Sequence, residues 1–436
     1  MTRIALAVLV CILVFQGTYF RHRDTIAVPT VDWLILARLS ACAAAFVVGT
    51  VLISRKVSWG FGGKSLLFYV LATGISAVNS PYFKTVAGYF ILLLGASTLM
   101  LALVYRARSI AQLERIQKIW FLTVGVLVVK DALTAMFFVG ASSSAEQGRL
   151  GMGVTHATEL SLFAALLFWM SFDPSKGVRR IVLWLWRIFL LYVIIAAKSR
   201  VPIAGFTIAG LFYAFFSMKH YLKRGLLIGC TGFLAALLMF GLVIGQNWAG
   251  DMSKYMKRGQ DTEEFGSFTG RTYIWQHILQ ESRKSPIAGN GYGVSRLTMG
   301  KVPNMNWEPP HCHNEALEVL FNTGILGFIP FLAMIVYNLK WIVCTERLQR
   351  TFSKKLALNA MCLAVMLILS FMFEVRLSGK LSPIQPLFLF YLMILDREGY
   401  FLALKSTQQF TQESLATSTA RSNHRPQFPN RDLIRP

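Results

Sequence analysis

Four groups of polar residues, set in a chain that is otherwise mostly apolar, have the types and spacing to do chemistry. The first is His311-Cys312-His313-Asn314-Glu315-Ala316-Leu317-Glu318, which runs directly into an apolar segment. Imidazole is the side chain best able to take a proton near neutral pH. Asn314 is of the type that caps a helix, accepting a first-turn N–H on its side-chain oxygen. Such a cap fixes His313 just ahead of the helix, and two roles fit it there: a general base or an interfacial hydrogen-bonding group. His311 lies two residues farther out, behind Pro309-Pro310, a pair expected to loosen the segment. A zinc site built from His-Cys-His is disfavoured, because neighbouring residues seldom all reach one ion and no second ligand cluster with finger spacing is present. We expect no metal and no cofactor.

The second group is Thr269-Gly270-Arg271-Thr272-Tyr273-Ile274-Trp275. Ile274 with Ile278, and Trp275 with Leu279, recur at helical spacing, and Thr269 or Gly270 can cap that helix. Arg271 then falls in the first turn, where a cation is disfavoured unless an anion is present. Backbone N–H groups beside a guanidinium suit a phosphate or diphosphate, since Arg offers two parallel donors to an oxyanion. The third group, Lys198-Ser199-Arg200-Val201-Pro202, joins two apolar segments. Pro202 suits the first turn of a new helix, which holds Arg200 at the mouth of a bundle; an arginine there is either a ligand or a side chain snorkelling to the interface. The fourth is the run Pro286-Ile287-Ala288-Gly289-Asn290-Gly291-Tyr292-Gly293. Lacking a preceding strand and a following Lys-Ser/Thr, it is not a nucleotide loop, and a tight surface turn is expected.

What must position these groups is a membrane bundle. The chain is 55% hydrophobic and 15% charged, where a soluble domain carries charge on roughly a quarter of its residues, and its mean hydropathy is +0.51. The net charge of +23 lies in short clusters between apolar stretches rather than on one basic face, which argues against nucleic acid as a partner. Of the six cysteines, Cys11, Cys42, Cys230 and Cys362 lie in apolar segments and only Cys312 lies in a long polar loop, so no disulfide framework is readable.

Segments long enough to cross about 30 Å of hydrocarbon fall near 4–20, 31–54, 65–80, 86–105, 119–140, 157–173, 180–197, 201–218, 225–246, 316–339, 356–375 and 382–396. The first, followed by Tyr19-Phe20-Arg21-His22-Arg23 and no small-residue cleavage site, reads as a retained span. Lys and Arg gather in alternate connectors: Arg55/Lys56/Lys64, Arg106/Arg108/Arg115/Lys118, Lys176/Arg179/Arg180, Lys219/Lys223/Arg224 and Lys340/Arg347/Arg350/Lys354/Lys355. Those connectors and both termini are therefore expected in the cytoplasm. The expected organisation is all-α: helices 1–9 in 1–246, a large extracytoplasmic loop at 247–315, helices 10–12 in 316–402, and a disordered cytoplasmic tail at 403–436. Asp32, Arg38, Lys130, Asp131, Glu159 and Arg187 fall inside spans and should face the bundle interior. Lys130 and Asp131 are adjacent, project in different directions on a helix, and need not pair.

In order and topological placement these features resemble the O-antigen ligase and Wzy-type polymerase family of bacterial membrane glycosyltransferases. Ser199-Arg200 matches the family's arginine after the seventh span. Gly270-Arg271 with Trp275, then Pro286 and the Gly289/Gly291/Gly293 turn, match its loop motif. His313-Asn314, Leu317-Glu318 and Gly324-Ile325-Leu326-Gly327 are similar to its histidine motif. The extra His311 departs from the pattern and leaves open which histidine acts.

The resemblance implies a GT-C-like fold in the bacterial inner membrane, with the active site on the periplasmic side. It implies a metal-independent transfer of a glycan from undecaprenyl diphosphate to a hydroxyl of a saccharide acceptor, either lipid A–core or a growing glycan. Arg200 and Arg271, helped by Lys198, would hold the diphosphate; His313 would act as base; His311 and Asn314 would line the substrate site. A non-catalytic transporter of polysaccharide or lipid-linked glycan is the alternative, suited by the intramembrane charges and by Gly205/Gly210, although the two related halves frequent in transporters are not evident. A structural subunit of a polysaccharide assembly complex is a third reading. The topology is testable by reporter fusions: one within 247–315 should prove periplasmic and one after 403 cytoplasmic, and both on the same side would overturn the span count.

Overall fold

The computed structural model describes residues 2–17, 33–53, 59–137, 150, 156–172, 180–217, 271–303, 309, 311–378 and 382–407. The segment 225–246, the loop up to Gly270, Asp32 and the tail from 408 lie outside them. The described residues form α-helices and no strand: α1 (Thr2–Gly17), α2 (Trp33–Ile53), α3 (Phe61–Asn79), α4 (Phe83–Arg106), α5 (Ile110–Phe137), α6 (Ala157–Met170), α7 (Arg180–Ala196), α8 (Arg200–Ser217), α9 (Arg271–Ser282), α10 (Ser295–Thr298), α11 (Glu315–Asn338), α12 (Lys340–Val343), α13 (Thr345–Thr351), α14 (Lys354–Phe371) and α15 (Ile384–Asp396). A helix stands at each segment expected to span except 225–246. Among the described residues seven helical stretches are long and apolar enough to cross a membrane, and α1, α6 and α15 are shorter apolar helices. The chain is a multi-pass membrane protein.

Two connectors are more ordered than the sequence suggests. α5 begins at Ile110, and only 107–109 interrupt the helices around Arg106–Lys118; the connector 340–355 carries α12 and α13. Hydropathy marks where lipid starts, whereas a helix continues through charged residues as long as its N–H groups find carbonyls four residues back.

Lipid gives apolar helices no hydrophobic reason to associate, so they approach through small residues. α2 and α4 do this: a Cβ at Gly95 would collide with the Cys42 backbone, and one at Gly49 with the Thr98 backbone. Large side chains such as Val78, Val126 and Ile181 remain exposed on the outside, as lipid contact requires. Intramembrane charges are tied inside the bundle. Arg38 donates to the Phe15 carbonyl at 2.8 Å, and Arg187 donates to Ser171 Oγ and O at 3.0 and 2.7 Å. Lys130 and Asp131, expected to diverge, form an ion pair at 2.7 Å. The lysine stem is long enough to fold back beside its neighbour, and buried Asp131 needs a counter-charge more than the helix enforces divergence.

The glycine turn is also not the surface turn expected. α11 breaks at Gly324, whose φ of 59° and ψ of −163° belong to a region open essentially to glycine alone. The break frees backbone groups, and the turn supplies partners for them: Asn290 N and Gly291 N donate to the Phe321 and Asn322 carbonyls at 3.0 and 2.9 Å, while Ile325 N and Leu326 N donate to the Pro286 and Ile287 carbonyls at 2.9 and 3.2 Å. Ala288, Gly289, Gly291 and Tyr292 are buried, and Tyr292 N donates to Ser76 Oγ of α3 at 3.1 Å. A Cβ at Gly289 would collide with the Asn322 backbone, and one at Gly324 with the Ile287 backbone. The glycines thus permit a close approach of two backbones. Gly289→Ala and Gly324→Ala should each cost about 1–3 kcal/mol, read as a lower thermal-unfolding midpoint in detergent. Gly88→Ala, where an added methyl meets open space, should change the midpoint little; equal effects at all three would refute the docking role.

Candidate active site

Asn314 and Arg271 are placed by local rules visible in the sequence. Asn314 caps α11 as expected, its Oδ1 accepting Leu317 N at 3.0 Å. His313 precedes it with φ at +52°, a left-handed conformation that costs a non-glycine residue about 1–2 kcal/mol. Among the described residues the other non-glycine residue with positive φ is Lys198, at +46°. Arg271 opens α9, which buries Ile274 and Ile278 against Met299, Val302, Cys312 and Phe321 and packs Trp275 partly against them. Trp275 Nε1 donates to the Cys312 carbonyl at 3.1 Å, which ties α9 to the histidine segment.

The group that joins these residues is one not singled out from sequence. Glu374, buried just beyond α14, receives Arg271 Nη2 at 3.6 Å on Oε1 and faces Arg376 Nη2 at 3.9 Å with Oε2. Arg271 also lies over the Phe373 ring, 5.9 Å from its centroid. Ligand atoms of His311, His313 and Glu374 all lie within 4.8 Å of one another. His311 is not farther out: its ring lies 4.1 Å from that of His313, and His313 N donates to its Nδ1 at 3.1 Å. Both rings therefore belong to one site, because a hydrogen bond from the peptide between them folds the segment back.

Lys198 and Arg200 stand at the start of α8, with Pro202 in its first turn. Their link to the histidines is topological: α8 packs against α6, and His156, the residue immediately before α6, acts electrostatically on His313 and Glu374.

Burial holds both imidazoles in the neutral form. It pushes His313 down to about 4, with Arg271, His156 and Arg376 adding to the effect and Glu374 opposing it. His311 is likewise pushed down to about 4 by burial and by His313, against Glu318 and Glu374. Burial alone would raise the Glu374 carboxyl, but Arg376 with His313, His311 and His156 outweighs it and keeps it below the usual carboxylate range. The site thus presents neutral acceptors beside a charged carboxylate and two guanidiniums. A single cation is small enough to bridge the two histidines and Glu374. Arg271 and Arg376 already neutralise that carboxylate and repel a second positive charge, so the arrangement favours handling protons and anions.

Sequence reasoning missed Glu374, Arg376 and His156. The signal for the first two was present, since an acid and a base sit at the C-terminal end of the segment placed at 356–375, but nothing in the sequence tells that the end of that span, with Glu374 61 residues after His313, returns to it.

Fold and site together define a multi-pass membrane protein with a buried, charge-rich site held by a loop and by the ends of two helices. Comparison with known families adds the next step. Residues 187–332 match the O-antigen ligase (Wzy_C) family model, a stretch that holds Lys198, Arg200, Arg271, His311 and His313; over it, the family resemblance read from the motifs is shown. The chain is 26% identical over 164 residues to a putative polysaccharide ligase of Rickettsia bellii, covering 36% of this chain and 38% of that protein. It is 27% identical over 176 residues to a putative polysaccharide ligase of Rickettsia felis, covering 38% and 41%. It is 30% identical over 78 residues to the exopolysaccharide production protein ExoQ of Rhizobium meliloti, covering 16% and 18%. The chain matches about two fifths of the length of the Rickettsia relatives.

The depressed histidines fix a pH dependence. An unfolded histidine binds its proton near pH 6.5, the folded ones only near 4. Between these values the unfolded chain holds more protons, so stability falls as pH is lowered from about 6.5 to 4. The thermal midpoint in detergent should drop across that window, and less steeply in His311→Asn/His313→Asn; an equal slope in both proteins would show the rings are not held neutral.

Proposed function

We propose that this protein is a membrane glycosyltransferase that moves a glycan from undecaprenyl diphosphate to a saccharide hydroxyl at the periplasmic face of the bacterial inner membrane. One observation carries the reading: Arg271 and two neutral histidines, all in the ligase-like stretch, converge on the buried carboxylate of Glu374, which lies beyond that stretch. The acceptor oxygen attacks the anomeric carbon, the bond from that carbon to the diphosphate breaks, and the hydroxyl proton passes to His313. The diphosphate leaves with an extra negative charge. Arg271 and Arg200, with Lys198 as a further cation, stabilise that charge as it develops, in a buried site where such interactions are strong. Positive charge on protein side chains does the work that a divalent ion does elsewhere, so no metal is required.

His313 is assigned the base because the Asn314 cap holds it at a rigid helix start, and a base must stay within hydrogen-bond reach of its proton. Its neutral form at physiological pH is the form that accepts. The acceptor is either lipid A–core or the end of a growing glycan; lipid A–core lacking polymer in a deletion strain would mark a ligase, and single repeat units a polymerase.

A transfer assay with purified protein tests the roles. His313→Ala should lower the rate by about a hundredfold to ten-thousandfold and His311→Ala far less, at equal protein levels. Arg271→Lys and Arg200→Lys keep the charge but lose the planar fork, and each should cripple transfer. EDTA should leave the rate unchanged. Full activity in both lysine variants would refute bidentate diphosphate recognition, and full activity in both histidine variants would refute a histidine base.

A further inference from the structure

Resting on the transferase reading above, the structure contains a conflict that a plain assignment of roles does not resolve. Arg271, assigned above to the diphosphate, already has an anionic partner in Glu374, and His313, assigned as the base, is surrounded by more positive than negative charge. Both problems involve the same carboxylate. Its two contacts to guanidinium, at 3.6 and 3.9 Å, are longer than the 2.7–2.9 Å or so of a fully formed charge-assisted hydrogen bond. Arg271 is therefore held in place yet not saturated. Arg376 differs from Arg271: its backbone N–H is bound by Glu315 and its Nε donates to Ser370 Oγ at 3.3 Å, so it is anchored in the bundle and is 6% exposed.

We propose that Glu374 is a positioning residue that serves Arg271 before the lipid diphosphate binds and the histidine pair afterwards. The incoming diphosphate displaces the carboxylate from Arg271; the freed carboxylate, still paired with Arg376, turns onto the His311–His313 pair and steadies the ring that takes the acceptor's proton. No bond to carbon is involved in this exchange. One anion replaces another at Arg271, and the carboxylate's charge moves toward the imidazole, where an opposite charge favours the protonated form. The base becomes competent only when the donor is in place.

Arg376 is what makes the exchange feasible. A buried carboxylate that lost its only counter-charge would be costly, but one shared between two guanidiniums keeps one of them. The ligand atoms of His311 and His313 already lie within 4.8 Å of the carboxylate oxygen, so the turn requires a change of side-chain torsion and no movement of a helix. Transfer would then be coupled to donor occupancy, which protects the site from deprotonating an acceptor, or water, with no glycan to pass on.

The test uses full-length protein in detergent, with undecaprenyl diphosphate as the binding probe and glycan transfer from lipid-linked donor as the activity. Glu374→Gln removes the competing charge but keeps the shape. It should bind undecaprenyl diphosphate as tightly as the wild type or more tightly, while kcat falls by between about a hundredfold and ten-thousandfold, the range for an orienting carboxylate behind a histidine base. Glu374→Asp should recover part of kcat. Wild-type turnover in Glu374→Gln would overturn the exchange. So would weaker diphosphate binding together with a lower thermal midpoint, which marks a structural tether, or an Asp variant no better than Gln. If the wild type itself neither binds the probe nor transfers glycan, the transferase reading fails first.

Discussion

The arrangement depends on one buried carboxylate, that of Glu315. It is fully buried at the start of α11, where the unpaired N–H groups of the helix already favour negative charge. It receives four donors from one short stretch: Arg376 N, Leu377 N at 3.0 Å, Ser378 N at 2.7 Å and Ser378 Oγ at 2.6 Å. Without it those N–H groups would be buried and unsatisfied, each at a cost of about 1–3 kcal/mol. The clamp brings the segment after α14 against the start of α11. Glu374 and Arg376 are thereby set opposite the two histidines, which come from the other side of the same helix start. One turn later, buried Glu318 accepts Cys312 N at 2.9 Å and the Ser295 hydroxyl, and takes Asn322 Nδ2 at 2.9 Å. Two carboxylates on one helical face hold two loops at once.

A second constraint ties this assembly to the bundle. The Gly324 break in α11 would be an energetic defect inside an apolar helix, since freed backbone groups have no water to bond. The buried turn after α9 fills it, and Tyr292 continues inward to Ser76 and, through its hydroxyl, to the Leu377 carbonyl at 3.3 Å. α9, the turn, the start of α11 and the Glu315-clamped loop therefore share one hydrogen-bonded frame. The transfer proposed above, which would have to place a lipid headgroup, a sugar hydroxyl and a base close to their working geometry, needs such a frame.

Much of this was legible in the sequence, and the reasons differ by residue. Asn314 as a cap and Arg271 at a helix start follow from local rules about unsatisfied N–H groups, which need only a few residues of context. The helical segments follow from apolar length. The pairing of Lys130 with Asp131, the burial of the glycine turn and the folding back of His311 did not, because each is decided by a neighbour distant in sequence or by a side chain's reach. Glu374 is the clearest case: it was counted as the end of a span, and its meaning appears only when Glu315 draws that end toward His313. Charged residues at span ends look alike in sequence, whether they snorkel or build a site.

The central claim is that the cluster around Glu374 receives a lipid diphosphate beside a neutral histidine. Cryo-electron microscopy of the protein in nanodiscs with undecaprenyl diphosphate tests it most directly. The account predicts density for the diphosphate within hydrogen-bonding distance of the Arg271 guanidinium and on the same side of the bundle as His313. A diphosphate seated away from Arg271, with the Arg271–Glu374 pair intact beside an empty histidine site, would contradict it.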